Sequence, residues 1–220
     1  MAFPYQCLLV SASDTGCGKT IVTAALALAL GNVGVMKLVQ AGVGDREYYQ
    51  QVLHPDQTPA ELNPLYFAAP LAPPLAAQLE GKTVDLTWAW QQLTQLRQRY
   101  PHVLVEGAGG LGSPVTWEWT VADVAAQWRL PTLVVVPVRL GAIGQAVAQV
   151  ALARQTGVPL VGLVLNEREP LTPQQRQDWA PVGLIQRLTG TPVWGYFPYV
   201  ADIDNRECLK QAGLALGVIP

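Results

Sequence analysis

The sequence predicts an α/β domain in which a mainly parallel sheet carries helices on both faces. Apolar runs such as Leu133–Val136 lack the alternation of a half-exposed strand, which is typical of parallel strands buried on both sides. Helix-length segments separate these runs, so strands and helices alternate along the chain. Because the 220 residues contain no repeat, linker or low-complexity tract, we expect a single domain over residues 1–220.

The composition excludes several classes of function. Only 14% of the residues are charged and the net charge is −2, so no basic face favours nucleic acid. The longest apolar stretch, Ile21–Met36, is interrupted by Gly31 and Asn32, and it predicts a core helix followed by a strand instead of a membrane span. The first five residues lack the basic side chains of a secretory signal, and we expect a cytoplasmic protein.

The sequence contains few cysteine and histidine residues. The three cysteines, Cys7, Cys17 and Cys208, are odd in number and widely spaced, which favours reduced thiols over disulfides or a metal site. We expect Cys17 to fill space and not to act as a nucleophile. With only His54 and His102, a Cys/His catalytic pair or a histidine-rich metal site has almost no residues to draw on.

The most informative segment is residues 11–20, which read SASDTGCGKT between an apolar strand and an alanine- and leucine-rich helix. Its small residues and two glycines allow successive backbone N–H groups to surround an anion, and the helix adds the positive end of its dipole. Lys19 would reach the outer phosphates, and the Thr20 hydroxyl would bind a bridging magnesium ion. The pattern predicts a P-loop, although Ser13 stands where the first glycine is usual. The alternative is a glycine-rich turn with Lys19 in solvent.

Lys37 is expected at the same edge of the sheet. It stands near the end of a predicted strand, Val33–Val39, and ligands of open α/β sheets bind outside the carboxyl ends of the strands. The alternative is an edge lysine that extends to solvent.

Two carboxylates complete this group. Asp45 follows the turn 42–44 and precedes a predicted helix, Arg46–Leu53, so it is either the helix N-cap or a metal ligand. Glu106 follows a predicted strand, His102–Val105, and could reach the magnesium ion. The alternative is a carboxylate that accepts from nearby glycine N–H groups.

A second glycine motif follows Glu106. Gly107, Gly109 and Gly112 form G-x-G-x-x-G, but Pro114 and Val115 follow where a dinucleotide-binding fold requires a helix. No acidic residue stands about 20 positions further on to bind a ribose, so we do not predict a dinucleotide site.

The other predicted elements continue the alternation. The proline-rich segment Pro55–Pro74 predicts an ordered surface loop, which could form a wall of a substrate site. The segment Gly141–Gly144 opens a helix with free N–H groups and could bind a carboxylate. The remaining predictions are helices at Leu86–Tyr100, Thr120–Arg129, Ala142–Gln155 and Pro173–Leu188, and strands at Thr132–Val138, Pro159–Leu165 and Val193–Tyr196.

Three segments together resemble the dethiobiotin synthetase family, ATP-dependent ligases of biotin biosynthesis. They are DTGCGKT at 14–20, KLVQAG at 37–42 and VEGAGG at 105–110. The similarity extends to RLGAI at 139–143 and GYFPY at 195–199, so it covers essentially the whole chain. It implies a reaction in which 7,8-diaminononanoate, CO2 and MgATP give dethiobiotin, ADP and phosphate through a carbamate and its mixed anhydride with phosphate.

The resemblance also implies roles for individual residues. Lys37 would bridge the carbamate and the γ-phosphate, Lys19 would contact the β- and γ-phosphates, and Thr15 would contact the reacting end of the substrate. The implied ATP-binding set is Ser13, Asp14, Thr15, Gly16, Cys17, Gly18, Lys19, Thr20, Glu106, Gly109, Asn166 and Pro198. The implied magnesium ligands are Thr20, Asp45 and Glu106, and the implied substrate-binding set is Lys37, Ala41, Gly141, Ala142, Ile143 and Gly144.

In the family, the segment that corresponds to 141–144 receives the substrate carboxylate from a partner subunit, which implies a homodimer. The chain departs from the family pattern at Ala12, Gly16 and Ala41, and residues 70–75 lack the serine and histidine often found there. We therefore expect nucleotide affinity or substrate preference to differ from those of the relatives.

Three other functions are compatible with a P-loop. A partition-type ATPase would carry an extra lysine early in the loop, and residues 11–16 contain none. A glutamine-dependent amide synthase would need a further domain that this chain is too short to hold. A nucleotide-binding scaffold without catalytic activity is the third alternative.

Overall fold

Six parallel strands form the central sheet of the computed structural model, which describes residues 3–217. Two more strands, β3 (Val39–Ala41) and β4 (Leu65–Phe67), form a separate parallel pair. The spatial order of the central sheet is β2 (Val33–Lys37), β5 (His102–Gly110), β1 (Cys7–Ala12), β6 (Thr132–Pro137), β7 (Leu160–Asn166) and β8 (Val193–Phe197).

Helices cover both faces of the sheet, which confirms the predicted fold class. Within residues 3–217, no helix has the length and hydropathy needed to cross a lipid bilayer. The helices are α1 (Lys19–Leu30), α2 (Asp45–Leu53), α3 (Pro59–Leu62), α4 (Pro73–Leu79), α5 (Leu86–Arg99), α6 (Val121–Gln127), α7 (Ala142–Thr156), α8 (Pro173–Trp179), α9 (Val182–Thr189) and α10 (Arg206–Leu214).

The core lies in two layers, one on each face of the sheet. In β1, Leu8 and Val10 pack with Leu26 of α1 and Leu209 of α10, whereas Leu9 belongs to the opposite layer with helices α5, α6 and α7. Both sets of side chains are buried because helices cover both faces, and this explains why the strands lack alternation in the sequence.

The prediction of an ordered surface loop without regular secondary structure at Pro55–Pro74 was wrong. The segment contains α3, β4 and the start of α4. Thr58 caps α3 by accepting from the Glu61 N–H, and Pro59 occupies the first helical position. A proline there costs no hydrogen bond, because that N–H has no partner within a helix. The prolines therefore start helices in this segment and do not exclude them.

Three further boundaries differ from the predictions. The predicted helix Pro173–Leu188 is two helices, because Pro181 cannot continue α8 and instead caps α9. The predicted strand Val33–Val39 divides at Leu38, after which the chain joins the two-stranded pair. The strand predicted to end at Val105 continues to Gly110.

The extension of β5 also bears on the second glycine motif. Gly107 and Gly109 lie within β5, and no helix follows the motif directly. Instead, a turn leads to an antiparallel bridge between Pro114 and Thr120. This arrangement agrees with the prediction that G-x-G-x-x-G is not a dinucleotide site here.

One glutamine closes the exposed edge of the sheet. Gln57 accepts from the Val35 N–H and donates to the Val35 carbonyl, each at 2.8 Å. Its side-chain amide thus replaces a neighbouring strand along β2, whose free polar groups would otherwise invite another chain to pair.

We predict that Gln57→Met destabilises the protein by about 1–3 kcal/mol, because two buried backbone groups lose their partners. Urea unfolding followed by far-UV circular dichroism measures the change. Gln98→Met, at an exposed position of α5, is the matched control and should change the stability little. Equal stability of the two variants would contradict this role of Gln57.

Candidate functional site

A cavity of about 950 Å3 opens at the carboxyl ends of the central strands. One end is formed by the phosphate loop and by the ends of β2, β3 and β5, and the other by residues that follow β7 and β8. The predicted site residues that line it are Thr15, Gly16, Gly18, Lys19, Thr20, Lys37, Ala41, Asp45, Gly109, Asn166 and Pro198.

The phosphate loop has the backbone that anion binding requires. Gly16 and Gly18 adopt positive φ angles of 71° and 83°, and Gly18 begins α1 without a side-chain cap. The first N–H groups of α1 are therefore available to an anion. Ala12, in contrast, still belongs to β1 and is extended, which explains why this chain needs no glycine there.

Asn166 holds the loop in this conformation. Its Nδ2 donates to the Cys17 carbonyl oxygen at 2.7 Å. A Cβ atom on Gly18 would lie 2.1 Å from the same nitrogen, so any side chain at Gly18 would displace Asn166. The Cys17 side chain is buried and in contact with Ser13, in agreement with its prediction as a space-filling residue.

Lys37 lies at the centre of the polar end of the cavity. Its Nζ donates to Glu106 Oε1 at 2.7 Å and to the Gly107 carbonyl at 3.2 Å, and it also forms an ion pair with Asp45 Oδ2. Burial lowers the pKa of Lys37, but the two carboxylates more than offset this effect and raise it. The group therefore stays an ammonium ion, and the alternative of a lysine in solvent was wrong.

Lys19 is the second buried cation. Its Nζ lies 3.7 Å from Glu106 Oε1. Burial lowers its pKa, and the nearby Lys37 acts in the same direction, although Glu106 partly opposes them. An anion bound in the loop would lie beside the two ammonium groups of Lys19 and Lys37, and both would attract it.

Three oxygen atoms converge beside these lysines. The Thr20 hydroxyl lies 2.8 Å from Asp45 Oδ1 and 3.1 Å from Glu106 Oε1. Neighbouring ligands of an octahedral magnesium ion with bonds of about 2.1 Å lie about 3 Å apart, so this spacing fits the ion. Among residues 3–217, the structure contains no group of three or more histidine, cysteine or acidic side chains that could hold a metal ion.

The first turn of α2 presents Asp45 to this group. Gly44 is the N-cap and Asp45 is the first helical residue, so the alternative of Asp45 as the N-cap was wrong. Instead, Glu47 accepts from the Gly44 N–H at 2.9 Å. Burial of Asp45 raises its pKa, but Lys37 outweighs this effect and the pKa is lowered, so the group stays ionised.

Gln40 fixes the same turn from the other side. It donates to the Gly42 carbonyl at 3.0 Å and to Glu47 at 2.9 Å, and it accepts from the Arg46 N–H at 2.8 Å. Gln40 is not predictable as a site residue from the sequence, because no local pattern distinguishes it from a solvent-exposed glutamine.

Other predicted residues do not line the cavity. Asp14 accepts from the Thr15 N–H at 2.7 Å. Ser13 contacts α7, where its hydroxyl donates to Gln145 Oε1 at 3.0 Å and its carbonyl accepts from Gln149. The segment 141–144 starts α7 as predicted, but it lies outside this cavity. Gln145 and Gln149 were also missed, since their contact with the loop spans more than 130 residues of sequence.

Gly109 lies so close to neighbouring side chains that there is no room for a Cβ atom. It has a φ of 53°, and a Cβ atom there would lie 2.2 Å from Ser113 Oγ and 3.3 Å from Thr15 Oγ1. A side chain at Gly109 would therefore push on Thr15, a predicted substrate contact.

Comparisons with known proteins agree with this geometry. A family model described as an AAA domain matches residues 6–207. The ATP-dependent dethiobiotin synthetase BioD of Gloeothece citriformis is 51% identical over 95% of this chain and 95% of its own length. The Bacillus subtilis protein of the same name is 30% identical over 92% of this chain and 91% of its own.

Solved structures match the fold at lower identity. The MinC:MinD cell division complex of Aquifex aeolicus gives a TM-score of 0.59 at 16% identity and covers 97% of this chain and 96% of its own. A ParA family ATPase from Chlorobium tepidum gives 0.59 at 14% identity and covers 97% and 93%. At such identities the likeness concerns the fold alone.

The parallel sheet, the glycine loop and the two buried lysines define a P-loop protein. Within that class, the identity to curated relatives over nearly the whole chain decides the family. The chain belongs to the dethiobiotin synthetase family.

We predict that Gly18→Ala weakens ADP binding at least tenfold, on the order of 1.4 kcal/mol, because the new Cβ displaces Asn166 from the loop. Isothermal titration calorimetry measures the affinity. Gly157→Ala is the matched control: its φ and ψ of 76° and 24° are close to the 83° and 18° of Gly18, but no atom lies within 4 Å of its Cβ position. Both variants should lose stability, and only Gly18→Ala should lose affinity. Equal loss of affinity would contradict the clash.

Proposed function

We propose that the protein catalyses the MgATP-dependent carboxylation and ring closure of 7,8-diaminononanoate to dethiobiotin, as one domain over residues 1–220. The observation that carries this proposal is Lys37, a buried ammonium group in the cavity wall beside the phosphate loop. The family membership supports the same reaction. The reaction needs a fixed cation between two anionic groups, and Lys37 fits that requirement.

The chemistry proceeds in three steps. One substrate amine attacks CO2 and loses a proton to give a carbamate. A carbamate oxygen then attacks the γ-phosphorus of ATP, and ADP leaves. Finally, the second amine attacks the carbamate carbon, phosphate leaves with its bonding electrons, and loss of a proton gives the cyclic urea.

The protein contributes positioning and charge to these steps. Lys37 holds the carbamate and the γ-phosphate together, Lys19 binds the β- and γ-phosphates, and Thr15 contacts the reacting end of the substrate. Two ammonium groups near one another neutralise charge that spreads over the phosphoryl oxygens during transfer. No covalent intermediate with the protein is needed.

Thr20, Asp45 and Glu106 would hold the magnesium ion. Their oxygen atoms are the ligand type that magnesium prefers, and their spacing fits an octahedral ion. When bound, the ion neutralises the phosphate oxygens and aligns them for in-line transfer.

ATP would extend from the phosphate loop, residues 13–20, past Asn166, which borders the loop, towards Pro198. Because Asn166 Nδ2 is bonded to Cys17, its Oδ1 remains to accept from the amino group of adenine. Glu106 and Gly109, both in β5, are the remaining residues of the proposed ATP-binding set.

A homodimer is proposed from the surface of α7. This helix carries no charged residue before Arg154, and its exposed residues before that point, Gly144, Val147, Ala148 and Ala151, are small or apolar. Leu140, next to its start, is 78% exposed, and Val147 is 37% exposed. An exposed apolar surface of this kind often marks a contact with another protein surface. In a dimer, Gly141, Ala142, Ile143 and Gly144 would receive the substrate carboxylate of the partner's site, while Ala41 would contact the substrate in its own cavity.

The partition-type and amide-synthase alternatives receive less support. The solved structures of a MinC:MinD cell division complex and a ParA family ATPase match at 16% and 14% identity, which supports a shared fold alone. A scaffold without catalytic activity does not need a lysine enclosed by two carboxylates, and burial of such a group carries a desolvation cost.

Single-turnover formation of ADP and dethiobiotin from MgATP, CO2 and 7,8-diaminononanoate tests the proposal. We predict that Lys37→Ala lowers the rate of this turnover by roughly 10²–10³-fold, because the cation acts on the transition state. Nucleotide binding should survive, since the phosphate loop keeps its own contacts.

The control for this experiment is Lys82→Ala, which removes a half-exposed lysine that forms an ion pair with Glu80 and should leave the rate unchanged. ADP binding without dethiobiotin formation by the natural chain would overturn the proposed reaction. An unchanged rate in Lys37→Ala would overturn the role of Lys37.

We predict that Val147→Asp shifts the protein from dimer to monomer, because two aspartates would be buried against an apolar face. Sedimentation velocity measures the change. Leu79→Asp is the matched control, since Leu79 is 70% exposed on α4 and should not affect assembly. A natural chain that sediments as a monomer at micromolar concentration would refute the dimer.

A further inference from the structure

Tyr49 reaches the polar group of the site from the second turn of α2. Its side chain is fully buried, and it lies one helical turn after Asp45. The hydroxyl group contacts Glu106 Oε2. The functional roles described above make no use of this contact.

The contact divides the two oxygens of Glu106 between different partners. Oε1 accepts from Lys37 at 2.7 Å and from Thr20 at 3.1 Å, whereas Oε2 accepts from Tyr49. A carboxylate bonded from both sides cannot rotate about its last side-chain bond without losing partners. The orientation of Glu106 is therefore fixed by Tyr49 on one side and by the site on the other.

Tyr49 keeps the proton that this contact needs. A tyrosine hydroxyl ordinarily loses its proton only at about pH 10, whereas an ionised carboxylate can only accept a hydrogen bond. The hydroxyl therefore stays a donor, and the carboxylate oxygen is its acceptor.

We propose that Tyr49 is a positioning residue that holds Glu106 Oε2, so that Glu106 offers a single oxygen, Oε1, to the divalent cation. This inference rests on the proposed function, in which Thr20, Asp45 and Glu106 hold magnesium. Helix α2 would then contribute to the metal site in two ways, because it supplies the ligand Asp45 and also orients the ligand Glu106.

Manganese binding to the ADP complex tests the proposal without relying on catalysis. Electron paramagnetic resonance measures free Mn2+ during a titration and gives the dissociation constant. We predict that Tyr49→Phe weakens Mn2+ binding about tenfold, because Glu106 can then turn away from Thr20. Binding of ADP without metal should change less than about twofold, a split that general loss of structure would not produce.

Tyr100→Phe is the matched control. Tyr100 also donates to a carboxylate, Asp56, at 2.5 Å, but this pair lies outside the cavity. The variant should therefore bind Mn2+ like the natural chain. If the two variants weaken binding equally, the effect is not specific to Glu106 and the proposal is overturned.

A double-mutant cycle with Glu106→Gln separates the two proposals. If Tyr49 acts through Glu106, Tyr49→Phe should cause no further loss in the Glu106→Gln chain. If Glu106→Gln itself binds Mn2+ like the natural chain, the proposed metal site is wrong. If Glu106→Gln binds weakly and Tyr49→Phe binds normally, only the positioning role is wrong.

A variant with 4-aminophenylalanine at position 49 keeps a donor in nearly the same place. It should restore Mn2+ binding to within about twofold of the natural chain, because the N–H group can still bond Glu106 Oε2. If Tyr49→Phe does not fold, this variant decides the question: weak Mn2+ binding by a folded chain with the donor in place would overturn the proposal.

Discussion

The buried charge group of Lys37, Glu106, Asp45 and Lys19 is the interaction on which the rest of the site depends. Glu106 has no exposed surface, and a carboxylate in such a place is tolerated only when cations and donors satisfy it. Its partners come from α1, β2 and α2, so these elements and β5 must all be in place before every charge of the group is compensated. The two carboxylates keep the Lys37 ammonium group charged, and the arrangement orients both lysines for an anionic ligand.

The register of the sheet makes this group possible. Lys37 and Glu106 are paired residues of β2 and β5, so their side chains leave the sheet side by side. A slip of one residue would turn Glu106 to the other face and leave Lys37 without its main partner. Gln57 closes the free edge of β2 and contributes to holding this strand in place. The edge of the sheet and the centre of the site are thus structurally linked.

Local patterns predicted the phosphate loop and the strand ends, because glycine spacing and apolar runs are contained in a few consecutive residues. They also led to Lys37 and Glu106, since the ends of parallel strands meet at one edge. They could not reveal Tyr49, Gln40 or the glutamines of α7, whose partners depend on how distant elements pack. The prediction for the prolines in 55–74 was wrong because the effect of a proline depends on its position. It is compatible with the first position of a helix, where it stands in α3 and α4, and it breaks a helix at a later position.

Helix α7 relates the site of one chain to the surface proposed for the dimer. Its inner face reaches the start of the phosphate loop, where Gln145 and Gln149 both bond Ser13. Its outer face and its first turn would meet the partner and the partner's substrate. The two hydrogen bonds to Ser13 therefore connect the phosphate loop with the helix proposed at the dimer surface.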